Sequence, residues 1–110
     1  MKSFTIDLSG INNWNSFHEV FFNKMGFPKH YGYNLDAWID SMSNPSDLAG
    51  LEDKENEIIV LNLLNMKQLK YSNPDIYDFI IETSAFVNWR RLAVNEPPIL
   101  MLSFDLNDNE

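Results

Sequence analysis

No cysteine occurs among the 110 residues of this chain, which also has only four glycines and two histidines. Without cysteine there is no disulfide, no thiol nucleophile and no thiolate metal site, so stability must come from packing. A reducing compartment is therefore allowed. Long apolar runs are missing as well, and the amino terminus reaches Asp7 before any such run begins. We expect neither a signal peptide nor a membrane span, and a cytoplasmic location.

Basic residues are scarce. Eight lysines and arginines stand against sixteen acids, which gives a formal net charge of −8. A chain of this charge repels phosphate backbones, so we expect no direct binding to nucleic acid or membrane, whereas a basic protein partner is attracted. The only basic doublet, Arg90-Arg91, is expected to be solvated or to pair with nearby acids.

The first half of the chain predicts one strand and two helices. "SFTIDL" alternates apolar and polar residues, which is typical of a strand over Phe4 to Leu8. "WNSFHEVFFNKMG" has helical spacing, with Asn13 as the expected cap and Gly26 at the end. Asn34 is a good cap for a second helix from Leu35 to about Ser43, and Gly32 is expected to supply an unusual backbone angle before it.

The second half predicts two strands and one long helix. A polar stretch over 44–56 is expected to be an acidic surface loop, and "EIIVLNLL" a central strand near Ile58 to Leu63, covered on both faces. "NMKQLKYS" favours a turn of helix. Pro74, with Asn73 as its cap, opens a helix to about Asn95, with a break near Ser84 left open, and its core stripe is expected to comprise Ile76, Ile80, Val87 and Val94.

The last strand is expected over Ile99 to Phe104, before an acidic tail over 105–110. This order of elements predicts a single α/β domain over residues 1–110, in which a three-stranded parallel sheet is flanked by helices. Several aromatic residues at helical spacing are expected in the core rather than in a binding cage: Phe17, Phe21, Phe22 and Trp89.

The stretch "HYGYNLDAWID" places Asp36 and Asp40 one helical turn apart. Like charges at that spacing repel by ~0.2 to 0.5 kcal/mol, so a functional role would explain why the pair is tolerated. We expect Leu35, Trp38 and Met42 to face the core, and the opposite face to carry Asp36, Ile39, Asp40 and Ser43. His30, Tyr31 and Tyr33 precede the helix, and aromatic and apolar groups around acids are typical of interface centres.

The same stretch resembles the barstar family of intracellular ribonuclease inhibitors, whose pattern is Pro-x-x-Tyr-Gly-x-Asn-Leu-Asp-Ala-Leu-x-Asp. The matching residues follow one another without a gap: Pro28, Tyr31, Gly32, Asn34, Leu35, Asp36, Ala37 and Asp40. His18 falls where the family often has histidine. Trp38 and Ile39 depart from the pattern, because the family has Leu and then often Trp there.

The resemblance implies a bacterial immunity protein that blocks the active site of a basic ribonuclease or related toxin, with Asp40 as the main phosphate mimic and Asp36 beside it. It implies no enzymatic activity, no cofactor and no metal, and a monomer or a heterodimer with the target. The implied partner-binding residues are His30, Tyr31, Gly32, Tyr33, Asn34, Asp36, Ile39, Asp40, Ser43 and Glu82.

Two other hypotheses stay open from the sequence. The acids with His30 nearby could bind a metal or act in acid–base catalysis, although no second histidine at ligand spacing, glycine-rich loop or nucleophile elbow accompanies them. Alternatively, a module of this fold could regulate a partner that is not a toxin. His18, on the first helix, is expected to be a partly buried structural residue.

Overall fold

The computed structural model describes residues 1–44, 48 and 57–107. Its elements are β1 (Lys2–Asp7), a 3₁₀ turn (Leu8–Gly10), α1 (Trp14–Met25), α2 (Leu35–Ser43), β2 (Ile59–Leu64), α3 (Met66–Ser72), α4 (Pro74–Ala93) and β3 (Leu100–Ser103). The strands form one sheet in the order β1-β2-β3, and both pairs are parallel. The predicted α/β fold with a three-stranded parallel sheet is therefore confirmed. The predicted loop 44–56 and the end of the acidic tail lie largely outside the described residues.

The sheet buries one face. Phe4 pairs in register with Leu61, and both are buried, whereas the neighbouring row of Thr5, Asn62 and Ser103 is polar and only Asn62 is even half-buried. The prediction that β2 is covered on both faces is wrong, because the alternate residues of all three strands face away from the buried cluster. A short apolar run does not distinguish one-sided from two-sided burial.

The helix ends follow from local chemistry. The Asn13 side chain accepts from the Ser16 amide in a capping box, Gly26 ends α1 with a φ of 66°, and the Asn34 side chain caps α2. Asn73, in contrast, makes no side-chain cap bond at the start of α4. That helix is continuous through Ser84, so the break that the sequence left open there is absent.

Aromatic rings fix α2 against the rest of the molecule. The fully buried ring of Trp38 lies 5.6 Å from Phe21 of α1 and 5.3 Å from Phe79 of α4, between ring centroids. The ring of Phe17 of α1 lies 6.1 Å from it. Such ring pairs contribute ~0.5 to 1.5 kcal/mol each beyond their area burial. The tryptophan that departs from the family pattern thus points into the core and sets the orientation of α2.

Two polar side chains of α4 hold the chain around β3. The Asn88 amide accepts from the amides of Ile99 (2.8 Å) and Leu100 (2.9 Å) and donates to the Leu100 carbonyl at 2.9 Å. Arg91 is buried; its Nε donates to the Pro97 carbonyl at 2.8 Å, and its guanidinium lies 3.9 Å from the Glu96 carboxylate. Arg91 therefore pairs with an acid as expected, but it is not solvated.

Two apolar predictions for α4 are wrong. Val94 lies beyond the last helical residue and is exposed, because the helix ends at Ala93. Trp89 is also exposed, since it lies on the side of α4 opposite to the buried residues Ile80 and Val87. In the part of the chain that the structure describes, no helix is long and apolar enough to cross a bilayer.

Candidate functional site

The two acids of α2 lie on its solvent side. Asn34 begins the helix by accepting from the Ala37 amide at 2.8 Å, and Asp36 follows in the first turn, where the helix dipole favours a carboxylate. Asp40 is one turn further on, where that benefit has faded. Both side chains are exposed, and neither carboxylate forms an ion pair with another residue of the described chain. Two adjacent negative charges are therefore presented to water.

The rest of α2 differs partly from the sequence-based expectation. Trp38 and Met42 are buried as predicted, but Leu35 is 39% exposed, because it lies in the first turn, at the open end of the helix. Ile39 is half-buried and packs against the core rather than standing free. Ser43, also half-buried, donates its hydroxyl to the Ile39 carbonyl at 2.6 Å. The buried face of α2 is thus centred on Trp38 and Ser41, which turns Ile39 towards the core.

The loop before α2 is shaped by its backbone. The Tyr31 amide donates to the Pro28 carbonyl at 2.9 Å, and Tyr33 adopts a left-handed conformation with a φ of 52°. The unusual backbone angle that was predicted for Gly32 is therefore found at Tyr33 instead. At Gly32 the space is tight, since a Cβ there would lie 3.0 Å from the Asn34 side-chain nitrogen and would require the capping side chain of Asn34 to shift. A non-glycine residue in this region of φ is uncommon and marks a constrained loop.

A buried tyrosine anchors the loop. Tyr31 is 7% exposed, and its hydroxyl forms a hydrogen bond with Nδ1 of His18 on α1. Its ring lies 4.8 Å from Phe27 and 5.3 Å from Tyr33, between centroids. Tyr31 therefore presents little surface of its own, and instead supports the exposed ring of Tyr33. The contact with His18 could not be predicted from the sequence, because thirteen positions separate the two residues.

Burial sets the protonation of this pair. Desolvation lowers the pKa of the His18 imidazole and raises the pKa of the Tyr31 phenol. The neighbouring Tyr33 raises the pKa of Tyr31 further. The uncharged forms are compatible, because the tyrosine hydroxyl can donate to an unprotonated Nδ1. His18 is therefore a buried structural residue, as the sequence suggested, and it ties α1 to the loop in front of the two acids.

We expect the stability of the protein to fall as the pH drops below about 6.5, the ordinary value for histidine. The folded state holds His18 neutral where the unfolded state is protonated, so the unfolded state binds more protons and is favoured by acid. The stabilisation is full above that pH and is lost towards the lower pKa of the folded state. Urea unfolding of the wild type and His18→Gln between neutral and mildly acidic pH measures this loss.

The control for this experiment is His30→Gln. It makes the same substitution at the exposed histidine of the loop, and so distinguishes the loss of the buried histidine from the loss of any histidine. His18→Gln should show a flatter dependence, even if its stability at neutral pH is lower. Parallel curves for the wild type and His18→Gln would contradict the role assigned to His18.

The remaining candidate residues, His30 and Glu82, lie outside α2. His30 is exposed in the loop, and Glu82 is exposed on α4, the helix against which α2 packs. Among the residues that the structure describes, no three potential metal ligands come together. The loop 30–34 therefore leads directly into the helix that carries both acids, and Glu82 lies on the neighbouring helix α4.

Comparison with known proteins adds one finding to this geometry. The family model described as Barstar (barnase inhibitor) matches residues 1–96. The comparison with curated proteins gives no match. The match includes the loop 30–34, α2 and α4, and so covers all the candidate site residues.

Proposed function

This chain belongs to the barstar family, a family of ribonuclease inhibitors, and we propose that it binds a basic ribonuclease or a related basic toxin and blocks its active site. The observation that carries the proposal is the pair of exposed carboxylates, Asp36 and Asp40, without an ion-pair partner in the described chain. In the free protein they repel each other, and a cationic active site would relieve that repulsion.

The carboxylates would take the positions of substrate phosphates. Charged hydrogen bonds from arginine or lysine to a carboxylate are about twice as strong as neutral ones, and arginine can bind both carboxylate oxygens. Asp40 is the principal mimic and Asp36 its neighbour, one helical turn of 5.4 Å along the axis. Because α2 is held by the buried ring of Trp38, the two charges would enter the enzyme with little loss of conformational freedom.

The loop would supply the rest of the contact. His30 and Tyr33 are exposed there, whereas Tyr31, Gly32 and Asn34 hold the loop in shape. At the edges of the surface, Ile39 and Ser43 offer only partly exposed side chains, and Glu82 would add a further acid from α4. An aromatic and polar rim of this kind excludes water from a central charge pair.

Inhibition of this kind is stoichiometric and needs no catalysis by the chain itself. The experiment is capture of binding proteins from an extract of the source cells, followed by titration of a captured basic ribonuclease with the purified chain. We expect ribonuclease activity to reach zero at one equivalent, and an oligonucleotide that occupies the active site to slow binding. Tight binding that leaves the captured protein fully active would instead support a module that regulates a partner other than a toxin.

A further inference from the structure

The exposed side of α4 changes in character at its midpoint. Its first half carries acids, at Asp75, Asp78 and Glu82. Its second half carries large apolar side chains that remain in water, with Phe86 44% and Trp89 64% exposed. A helix that already buries its inner side, here through Ile80 and Val87, has no need of apolar residues on its outer side. Neighbouring large apolar side chains that stay exposed make this side of α4 a candidate interaction surface.

The two aromatic rings contact each other, and a cation lies beside them. The rings of Phe86 and Trp89 are stacked, with centroids 6.1 Å apart and an interplanar angle of 18°. The Arg90 guanidinium lies 5.8 Å from the centroid of the Phe86 ring. Tryptophan, phenylalanine and arginine are enriched at the centres of protein interfaces, whereas lysine and glutamate are depleted there.

The order of charges along this side of α4 is complementary to itself. Glu82, Phe86, Trp89 and Arg90 lie at i, i+4, i+7 and i+8, and so share one side of the helix. Two such helices in antiparallel contact bring the aromatic pairs together and place each Glu82 beside Arg90 of the other copy. A parallel contact would place Glu82 beside Glu82, and is disfavoured. In the described chain neither Glu82 nor Arg90 has an ion-pair partner within its own molecule.

We propose that the outer side of α4, centred on Phe86 and Trp89, is the interface of a homodimer with antiparallel α4 helices. A twofold axis between the aromatic pairs creates two Glu82–Arg90 contacts for each dimer. One helix side from each copy is a small interface, so the dimer is reversible and forms with rising concentration. The overall charge of −8 on each copy opposes association, and the opposite charges at the interface determine which surfaces can meet.

The test is a charge reversal, followed by analytical ultracentrifugation over a wide range of concentration. Glu82→Arg and Arg90→Glu each replace two attractive contacts by repulsive ones, so we expect each to weaken the dimer by about tenfold or more, since 1.4 kcal/mol corresponds to tenfold. The double variant restores opposite charges and should recover most of the lost affinity. Trp89→Ala should remove the dimer. All these side chains are exposed, and circular dichroism verifies that each variant is folded.

Two controls separate this surface from others. Tyr71→Ala removes an aromatic ring that is 74% exposed on α3, and Asp40→Ala removes an acid of the candidate inhibitor surface; both should leave the dimer intact. A wild type that stays monomeric at every concentration would overturn the proposal, and would leave the α4 surface to a different protein. A dimer that the single reversals do not weaken, or that the double variant does not restore, would overturn it too. Glu82 also belongs to the proposed ribonuclease contact, so the two interfaces would compete for it, but the ultracentrifugation results do not depend on ribonuclease binding.

Discussion

Replacing Asp40 with alanine is expected to weaken the complex with a basic ribonuclease by several kcal/mol, mainly through faster dissociation. In the proposed complex the carboxylate would face cations without water between them, so its removal would leave buried positive charge without compensation. An acidic hot spot of barstar itself has an effect of this scale. The free protein should be no less stable, because Asp40 is exposed and its removal relieves the repulsion from Asp36. Surface plasmon resonance and urea unfolding measure the two effects separately.

The matched control is Asp105→Ala, which removes the same charge from an exposed position beyond β3. Diffuse attraction between the acidic chain and a basic enzyme speeds association, and salt reduces it because the screening length is ~8 Å near physiological ionic strength. Asp105→Ala and added salt should therefore act mainly on the association rate. Equal losses of affinity in Asp40→Ala and Asp105→Ala would mean that only diffuse attraction operates, without a focused phosphate mimic.

The second large effect is on stability. Asn88→Ala is expected to lower the free energy of unfolding by ~2 to 4 kcal/mol, because it leaves the Ile99 and Leu100 amides and the Leu100 carbonyl without their side-chain partner. Asn88 satisfies both backbone groups of Leu100, as a neighbouring strand would, in a strand that lies at the edge of the sheet. Urea or thermal unfolding, monitored by circular dichroism, gives the change directly.

Asn23→Ala is the corresponding control. Asn23 is exposed on α1, and surface substitutions of this kind usually change stability by less than ~0.5 kcal/mol. Asn88→Asp is informative as well, because it keeps the acceptor for the two amides but loses the donor to the Leu100 carbonyl. A loss in Asn88→Ala no larger than that in Asn23→Ala would show that solvent replaces the side-chain bonds at no cost.

The elements of the fold could be read from the sequence because their signals are local. Asn13, Gly26 and Asn34 end or begin helices through bonds to residues within four positions, and α1 and α2 begin where predicted. The alternation in β1 predicted a strand, and the order of strands and helices predicted the parallel sheet. The acid pair was also local: one helical turn separates Asp36 from Asp40 in any α-helix.

The predictions of burial were wrong at positions where burial depends on which other element packs over the residue. Leu35 and Trp89 have the spacing of core residues, yet both are exposed, because no described element packs over the first turn of α2 or the outer side of α4. The sequence also favoured a two-sided environment for β2, whereas its alternate residues are only half-buried or exposed. Periodicity gives the positions that share a side of an element, and the packing of other elements decides which side is covered.

By itself, the sequence determined the strand and helix order, the caps of α1 and α2, the −8 charge and the stretch that carries the family pattern. Only the tertiary structure decided that Tyr31 is buried against His18, that Asn88 holds the outer edge of β3, and that Phe86 and Trp89 stack in solvent. The reason is physical, because caps and periodicities follow from contacts within a few residues. The three tertiary features join separate elements or depend on a surface that stays uncovered. How the helices pack on the sheet decides them.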